Sequence, residues 1–239
     1  MKDHKLKTGV INSWLVHMIT ASGMVCAVYS LDAILNYQPE KALIWLLIAQ
    51  VIDGVDGPLA RYLNVKRHVP VIDGNVLDLV IDYVTCVVVP IVFMIQFSLL
   101  PETFEMLACS MVVASSAIWF SRKDIETKDM WFRGFPTGWN LVVTIIWLQG
   151  FSANVNLVIV GLFVVLTMTP KVKFFHMLGS PQNRRTTVAL SGAMLLATGV
   201  MILESSLRQS YGLNFVIVIW AVYAACMTIW RTLQTDEIL

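Results

Sequence analysis

Charge is what this sequence has least of. Only 14% of its 239 residues are Asp, Glu, Lys or Arg, against roughly a quarter in a soluble domain. By contrast 57% are hydrophobic, and the mean hydropathy is +0.70. A water-soluble globule and a disordered chain are both excluded by these figures. A formal net charge of +1 leaves no basic surface of the kind that nucleic acid needs. Glycine and proline, at 13 and 8 residues, are too few for a collagen-like or low-complexity chain. The four cysteines, Cys26, Cys86, Cys109 and Cys226, are scattered through apolar stretches, which argues against a disulfide framework and against a zinc site. Long polar linkers and internal repeats are missing as well, so residues 1–239 read as one helical domain. The basic Met1–Lys7 segment leads into an apolar stretch far longer than a signal-peptide core, without an Ala-x-Ala site, so the first helix is expected to stay.

What the chain does have is long apolar runs. A span needs about 20 apolar residues, and candidates fall at 10–31, 41–60, 70–97, 104–121, 137–151, 154–170, 187–204 and 213–231. The expected fold is an all-α integral membrane protein, a bundle of about eight transmembrane helices. The fifth run, pressed between Pro136 and Ser152-Ala153-Asn154, is the weakest, and without it the count is seven. Runs such as Val155–Leu166 are continuously apolar, whereas barrel strands alternate. With eight spans, all but Lys41 and Arg208 of the 17 lysines and arginines fall on one side, which the positive-inside rule makes cytoplasmic. Both termini then face the cytoplasm. So do the connections at 61–69, 122–136 and 171–186, and chemistry is expected on that face.

Four carboxylates stand where a membrane helix should have none. Asp53 and Asp56 are three apart near the cytoplasmic end of the second span, and Asp78 and Asp82 are four apart in the third. Each spacing puts its pair on one helix face. Carboxylates gathered in this way repel unless cations neutralise them, and oxygen-only ligation suits Mg2+ or Mn2+. A divalent site with two ions, suited to clamping a diphosphate, is the sharper reading. The plainer ones are an ion network with Arg61, Lys66 and Arg67, or a proton relay in a transporter. Gly54, Gly57 and Gly74 beside the acids favour the metal, because they let a ligand approach closely.

The pattern Asp53-x-x-Asp56-Gly57-x-x-Ala60-Arg61, followed by Gly74-x-x-x-Asp78-x-x-x-Asp82, resembles the signature of the CDP-alcohol phosphotransferase family. The spacer from Tyr62 to Asp73 is longer than the usual one, and is the form of bacterial members whose alcohol is choline. Val16-His17-x-x-Thr20-Ala-Ser-Gly23, Pro70-x-x-Asp73-Gly74, Val80-Ile-Asp82-Tyr83, Gly134-Phe-Pro136 and Trp139-Asn140 are similar to those members too. The resemblance implies a phosphatidyltransferase in a bacterial inner membrane, surrounded by lipid and commonly a homodimer. CDP-diacylglycerol would be held through its diphosphate on two Mg2+ or Mn2+ ions, choline would attack the phosphorus, and CMP would leave. It further implies that Asp53, Asp56 and Asp78 ligate metal. Asp82 would be the general base, touching the second ion, while Gly57, Ala60, Arg61 and Gly74 would make room for the CDP moiety. The competing readings are another alcohol (serine, glycerol phosphate or inositol), a CDP-choline donor with diacylglycerol as acceptor, and a cation-coupled transporter.

Outside the motif, Arg133 and Arg185 are candidates to hold a lipid phosphate, helped by Gly134 and the polar Ser180–Asn183 segment, although basic residues in such connections often only set topology. Tyr83, Trp131 and Trp139 are candidates for an aromatic cage around choline, against the ordinary role of interfacial anchors. His17 is expected to be satisfied inside the bundle or to meet the nucleotide, and Asp73 to cap the third span.

Overall fold

In this computed structural model residues 2–177 and 183–234 are described, with side chains from residue 9 onward. The chain forms α1 (Lys2–Leu35), α2 (Pro39–Tyr62), α3 (Val65–His68), α4 (Gly74–Gln96), α5 (Glu102–Phe120), α6 (Trp139–Gln149), α7 (Ala153–Thr167), α8 (Arg184–Leu203) and α9 (Tyr211–Leu233). Six of these (α1, α2, α4, α5, α8 and α9) are long and apolar enough to cross a bilayer. The protein is an all-α, multi-pass membrane protein. The other two of the eight expected spans are shorter helices, 11 residues for α6 and 15 for α7, which rise about 16 and 22 Å against a hydrocarbon core of about 30 Å. Local chemistry sets their ends. Pro136 and Gly138 delay α6 until Trp139, and Gly150, at a φ of +61°, stops it in a left-handed cap. Ser152 then opens α7, its hydroxyl oxygen accepting from the Val155 N–H at 3.5 Å.

A feature with no counterpart in the hydropathy pattern is a small antiparallel pair of strands, β1 (Trp131–Arg133) and β2 (Lys173–Phe175). Trp131 faces Phe175, and Arg133 faces Lys173. The pairing ties the 122–136 connection to the one that begins at 171, so the two lie at the same end of the bundle. Just beyond β1 the chain turns at Gly134, which has a φ of +85° and donates its N–H to the Val172 carbonyl at 2.8 Å.

The core is filled by Ile34, Leu43, Leu46, Phe93, Met94 and Met194, each at most 1% exposed. Met18, Val158 and Leu196, at 64, 71 and 74% exposed, point outward, as residues facing lipid do. Ser30 links α1 to α2 by donating to the Ala42 carbonyl at 2.9 Å. Helix α4 is not uniform: residues Tyr83–Val88 form a π turn, and Val89 N–H bonds to the Val84 carbonyl, five residues back. Pro90 explains the widening. It has no N–H to offer, and in a regular turn its ring would crowd the Cys86 carbonyl. The turn begins immediately after Asp82.

Candidate active site

Three helices enclose one acidic pocket. Helix α1 contributes Thr20 and Gly23, α2 contributes Ala49, Ile52, Asp53 and Asp56, and α4 contributes Asp78, Ile81, Asp82 and Thr85. The three- and four-residue spacings turn all four carboxylates inward. One oxygen from each of Asp53, Asp78 and Asp82 lies within 4.8 Å of the others. Asp56 completes the wall and is 5% exposed. Among the described residues no lysine or arginine lines this pocket; Arg61, further along α2, is the cation whose charge reaches Asp56. Neighbouring ligands on an octahedral Mg2+ are about 3 Å apart and opposite ones about 4.2 Å, and of any three ligands at least two pairs are neighbours. The donor set is of the right kind for a hard divalent cation, and binding one would draw at least two of the three oxygen pairs in to about 3 Å.

The packing that places these acids is tight at one point. A Cβ on Gly23 would lie 2.8 Å from Ile81 Cγ2, so α1 approaches α4 more closely than any larger residue permits, beside Asp82. On the other side of Asp53 an amide is engaged: Gln50 Nε2 donates to Asp53 Oδ2 at 3.2 Å, and Asn140 Nδ2 donates to Gln50 Oε1 at 2.7 Å. Gln50 is absent from the motif reading. Its signal was available, since it is the lone side-chain amide in α2 and stands three residues before Asp53 on the same face.

The remaining signature residues surround the pocket without lining it. Arg61 is exposed at the end of α2, its Nη1 3.5 Å from where a Gly57 Cβ would be. Ala60 is half-buried on the last turn of α2. Gly74 opens α4, beneath a cap in which the Asp73 carboxylate accepts from the Asn75 and Val76 N–H groups at 3.0 and 3.4 Å. A Cβ at Gly74 would stand 3.5 Å from His17 Cε1. His17 is 6% exposed, and its Nε2 has no hydrogen-bond partner among the described residues. At the neighbouring strand end, His176 stacks on Phe132 with ring centroids 4.9 Å apart. Burial, followed by the charge of Arg61 at the C-terminal end of α2, holds its imidazole below the ordinary value.

The aromatic and outlying basic candidates are not brought to the carboxylates. Trp131 and Trp139 are both fully enclosed. Trp139 donates its indole N–H to Ser116 Oγ at 2.9 Å, and Trp131 packs near Trp230 with centroids 6.4 Å apart. Both belong to the core, and neither lines the acidic pocket. Tyr83 lies one residue, about 100°, around the helix from Asp82. It turns to α5 instead, donating to the Val113 carbonyl at 3.2 Å and packing edge-on against Phe120. Arg133 is half-buried in β1, its Nε shielded and without a hydrogen-bond partner among the described residues. Arg185 is exposed on the first turn of α8. Neither lines the acidic pocket. Of the Ser180–Asn183 segment, residues 180–182 lie outside the described residues.

Known proteins resemble this chain in sequence. Residues 14–170 match the family model of the CDP-alcohol phosphatidyltransferases. The chain is 35% identical to the phosphatidylcholine synthase of Pseudomonas aeruginosa over 223 residues, 92% of each chain. It is 32% identical to that of Borreliella burgdorferi over 227 residues, 95% of this chain and 97% of the relative. With that of Rhizobium meliloti the identity is 36% over 166 residues, 70 and 68% of the two chains. A match over this length, centred on the helices that carry the four acids, makes the chain a member of the CDP-alcohol phosphatidyltransferase family.

Proposed function

We propose that this protein is a phosphatidylcholine synthase, moving the phosphatidyl group of CDP-diacylglycerol to choline and releasing CMP. The observation that carries the reading is the convergence of Asp53, Asp78 and Asp82 on one point, in a chain that aligns almost end to end with phosphatidylcholine synthases. Asp53, Asp56 and Asp78 would hold divalent cations, two in the full site and Mg2+ or Mn2+ by their oxygen donors. When bound, these ions supply charge neutralisation for a diphosphate and polarise its phosphoryl oxygens. Asp82, at the pocket wall just before the π turn, accepts the hydroxyl proton of the alcohol. As that proton leaves, the alcohol oxygen bonds to the phosphorus that bears diacylglycerol. The bridging oxygen between the two phosphorus atoms departs with CMP. A carboxylate is a weak base for an alcohol, but the transfer is required only as the new bond forms. Gly57 and Gly74, with Ala60, leave space beside the acids for the nucleotide, and Arg61 offers charge at its exposed edge.

The basic bias of the sequence supports a pocket at the cytoplasmic face of the inner membrane, where choline and CMP would exchange with the cytosol and the lipid donor would enter sideways from the bilayer. The test is CMP release by purified protein given CDP-diacylglycerol and a panel of alcohols. Choline should be used far faster than serine, glycerol phosphate or inositol. Equal use of serine would overturn the choline assignment, and choline uptake into vesicles without CMP release would overturn the enzyme itself.

A further inference from the structure

The Asn140–Gln50–Asp53 chain of hydrogen bonds runs from the start of α6 into the acidic pocket. Asn140 is 4% exposed, and its amide has one permitted orientation. Its Oδ1 accepts the Leu141 backbone N–H at 3.0 Å, so its NH2 must face Gln50, where it donates to Oε1 at 2.7 Å. That in turn leaves Gln50 only one way round. Its oxygen is taken by Asn140, and its NH2 is directed at Asp53 Oδ2, 3.2 Å away. Flipping either amide would set two donors or two acceptors against each other in a water-poor interior, where such a mismatch is costly. A backbone N–H in α6 thus fixes, through two side chains, the rotation of a carboxylate in α2.

We propose that Gln50 is a positioning residue for Asp53, with Asn140 fixing the orientation of Gln50, and that the pair sets the divalent-cation affinity of the site. Donation to one oxygen stabilises the ionised carboxylate and holds its plane. The free lone pairs then aim at the point shared with Asp78 and Asp82. Hydrogen-bond partners of metal-holding carboxylates typically contribute about 10- to 100-fold in affinity. The inference rests on the reading of the acids as a cation site.

The test titrates Mn2+ into purified full-length protein without substrate, following free Mn2+ by its electron paramagnetic resonance signal. Gln50→Leu should weaken Mn2+ binding about 10- to 100-fold, with the melting temperature in detergent near that of the parent. Asn140→Asp should also weaken binding. Its carboxylate can only accept, so Gln50 must turn its NH2 to residue 140 and present Oε1 to Asp53. Because that effect passes through Gln50, adding Asn140→Asp to Gln50→Leu should cause little further loss. Asp53→Ala serves as the reference. Unchanged Mn2+ affinity in Gln50→Leu alongside a loss in Asp53→Ala would overturn the positioning role alone. Unchanged affinity in both would overturn the cation site and this inference with it. An Asn140→Asp loss undiminished by Gln50→Leu would show that Asn140 does not act through Gln50.

Discussion

Replacing Gly23 by alanine tests whether helix packing, rather than the acids alone, sets the rate. The new Cβ would lie 2.8 Å from Ile81 Cγ2, where carbon atoms rest at about 3.5–4.0 Å. Ile81 is 7% exposed, and as a β-branched residue in a helix it has one strongly preferred rotamer, so it cannot swing away. Helices α1 and α4 must part by about 1 Å, and Asp82, the next residue, moves with them. A misplacement of about 1 Å costs on the order of 10²-fold in rate, or about 2.7 kcal/mol of barrier. Folding should survive, because alanine gains about 1 kcal/mol over glycine in a helix. The assay is the initial rate of choline incorporation by purified protein in detergent. Gly161→Ala and Gly192→Ala, where nothing stands within 4 Å of the new Cβ, serve as controls expected to match the parent. Adding Ile81→Ala, which removes the clashing methyl, should recover part of the loss. A well-folded Gly23→Ala enzyme turning over within about threefold of its parent would refute the argument.

Asp82→Asn keeps the shape but cannot take a proton, so kcat should fall about 10²- to 10⁴-fold with the KM for CDP-diacylglycerol little changed; near-normal turnover would remove the general-base role. Trp139→Leu discards a fully buried ring and its bond to Ser116, so the melting temperature should drop by the equivalent of about 3 kcal/mol while the choline KM stays put. A several-fold rise in choline KM at parental stability would instead return that ring to the choline site. Arg231→Met breaks the paired bonds to Asp129, at 2.8 and 3.1 Å, and should cost about 1.5–3 kcal/mol at neutral pH. Arg231 holds the Asp129 carboxyl below its ordinary value, so this stabilisation is complete above about pH 4 and fades as pH falls through the lowered folded value. A gap between variant and parent that persists unchanged in melting curves at lower pH would contradict the assignment.

The acids were legible because membrane context makes each of them improbable, and their spacing alone put each pair on a single face. Helices α1, α2, α4, α5, α8 and α9 were legible for the same reason, as long apolar runs between polar breaks. The β1–β2 pair was not, since three-residue strands some forty positions apart in the chain carry no local periodicity. Helices α6 and α7 read as spans by hydropathy but stop short, because Gly138, Gly150 and Ser152 cut the helical stretch more tightly than they cut the apolar one. The depth of Trp131 and Trp139 was not legible, as composition does not separate a buried tryptophan from one at an interface. Gln50 was half legible: its place on the Asp53 face is in the sequence, whereas its partner ninety residues away is not.

The π turn after Asp82 makes α4 two screws joined end to end. One extra residue in a turn offsets the angular phase of everything on one side by about 100° against everything on the other. The upstream half can therefore be clocked to aim Asp78 and Asp82 at α1 and α2. The downstream half, with Phe93 and Met94, is clocked separately to fill the core. In a single regular helix these two demands would compete for one rotation angle. Here sequence drift in the deep half can repack the bundle without turning the acids, and the acids can be re-aimed without unseating the bundle.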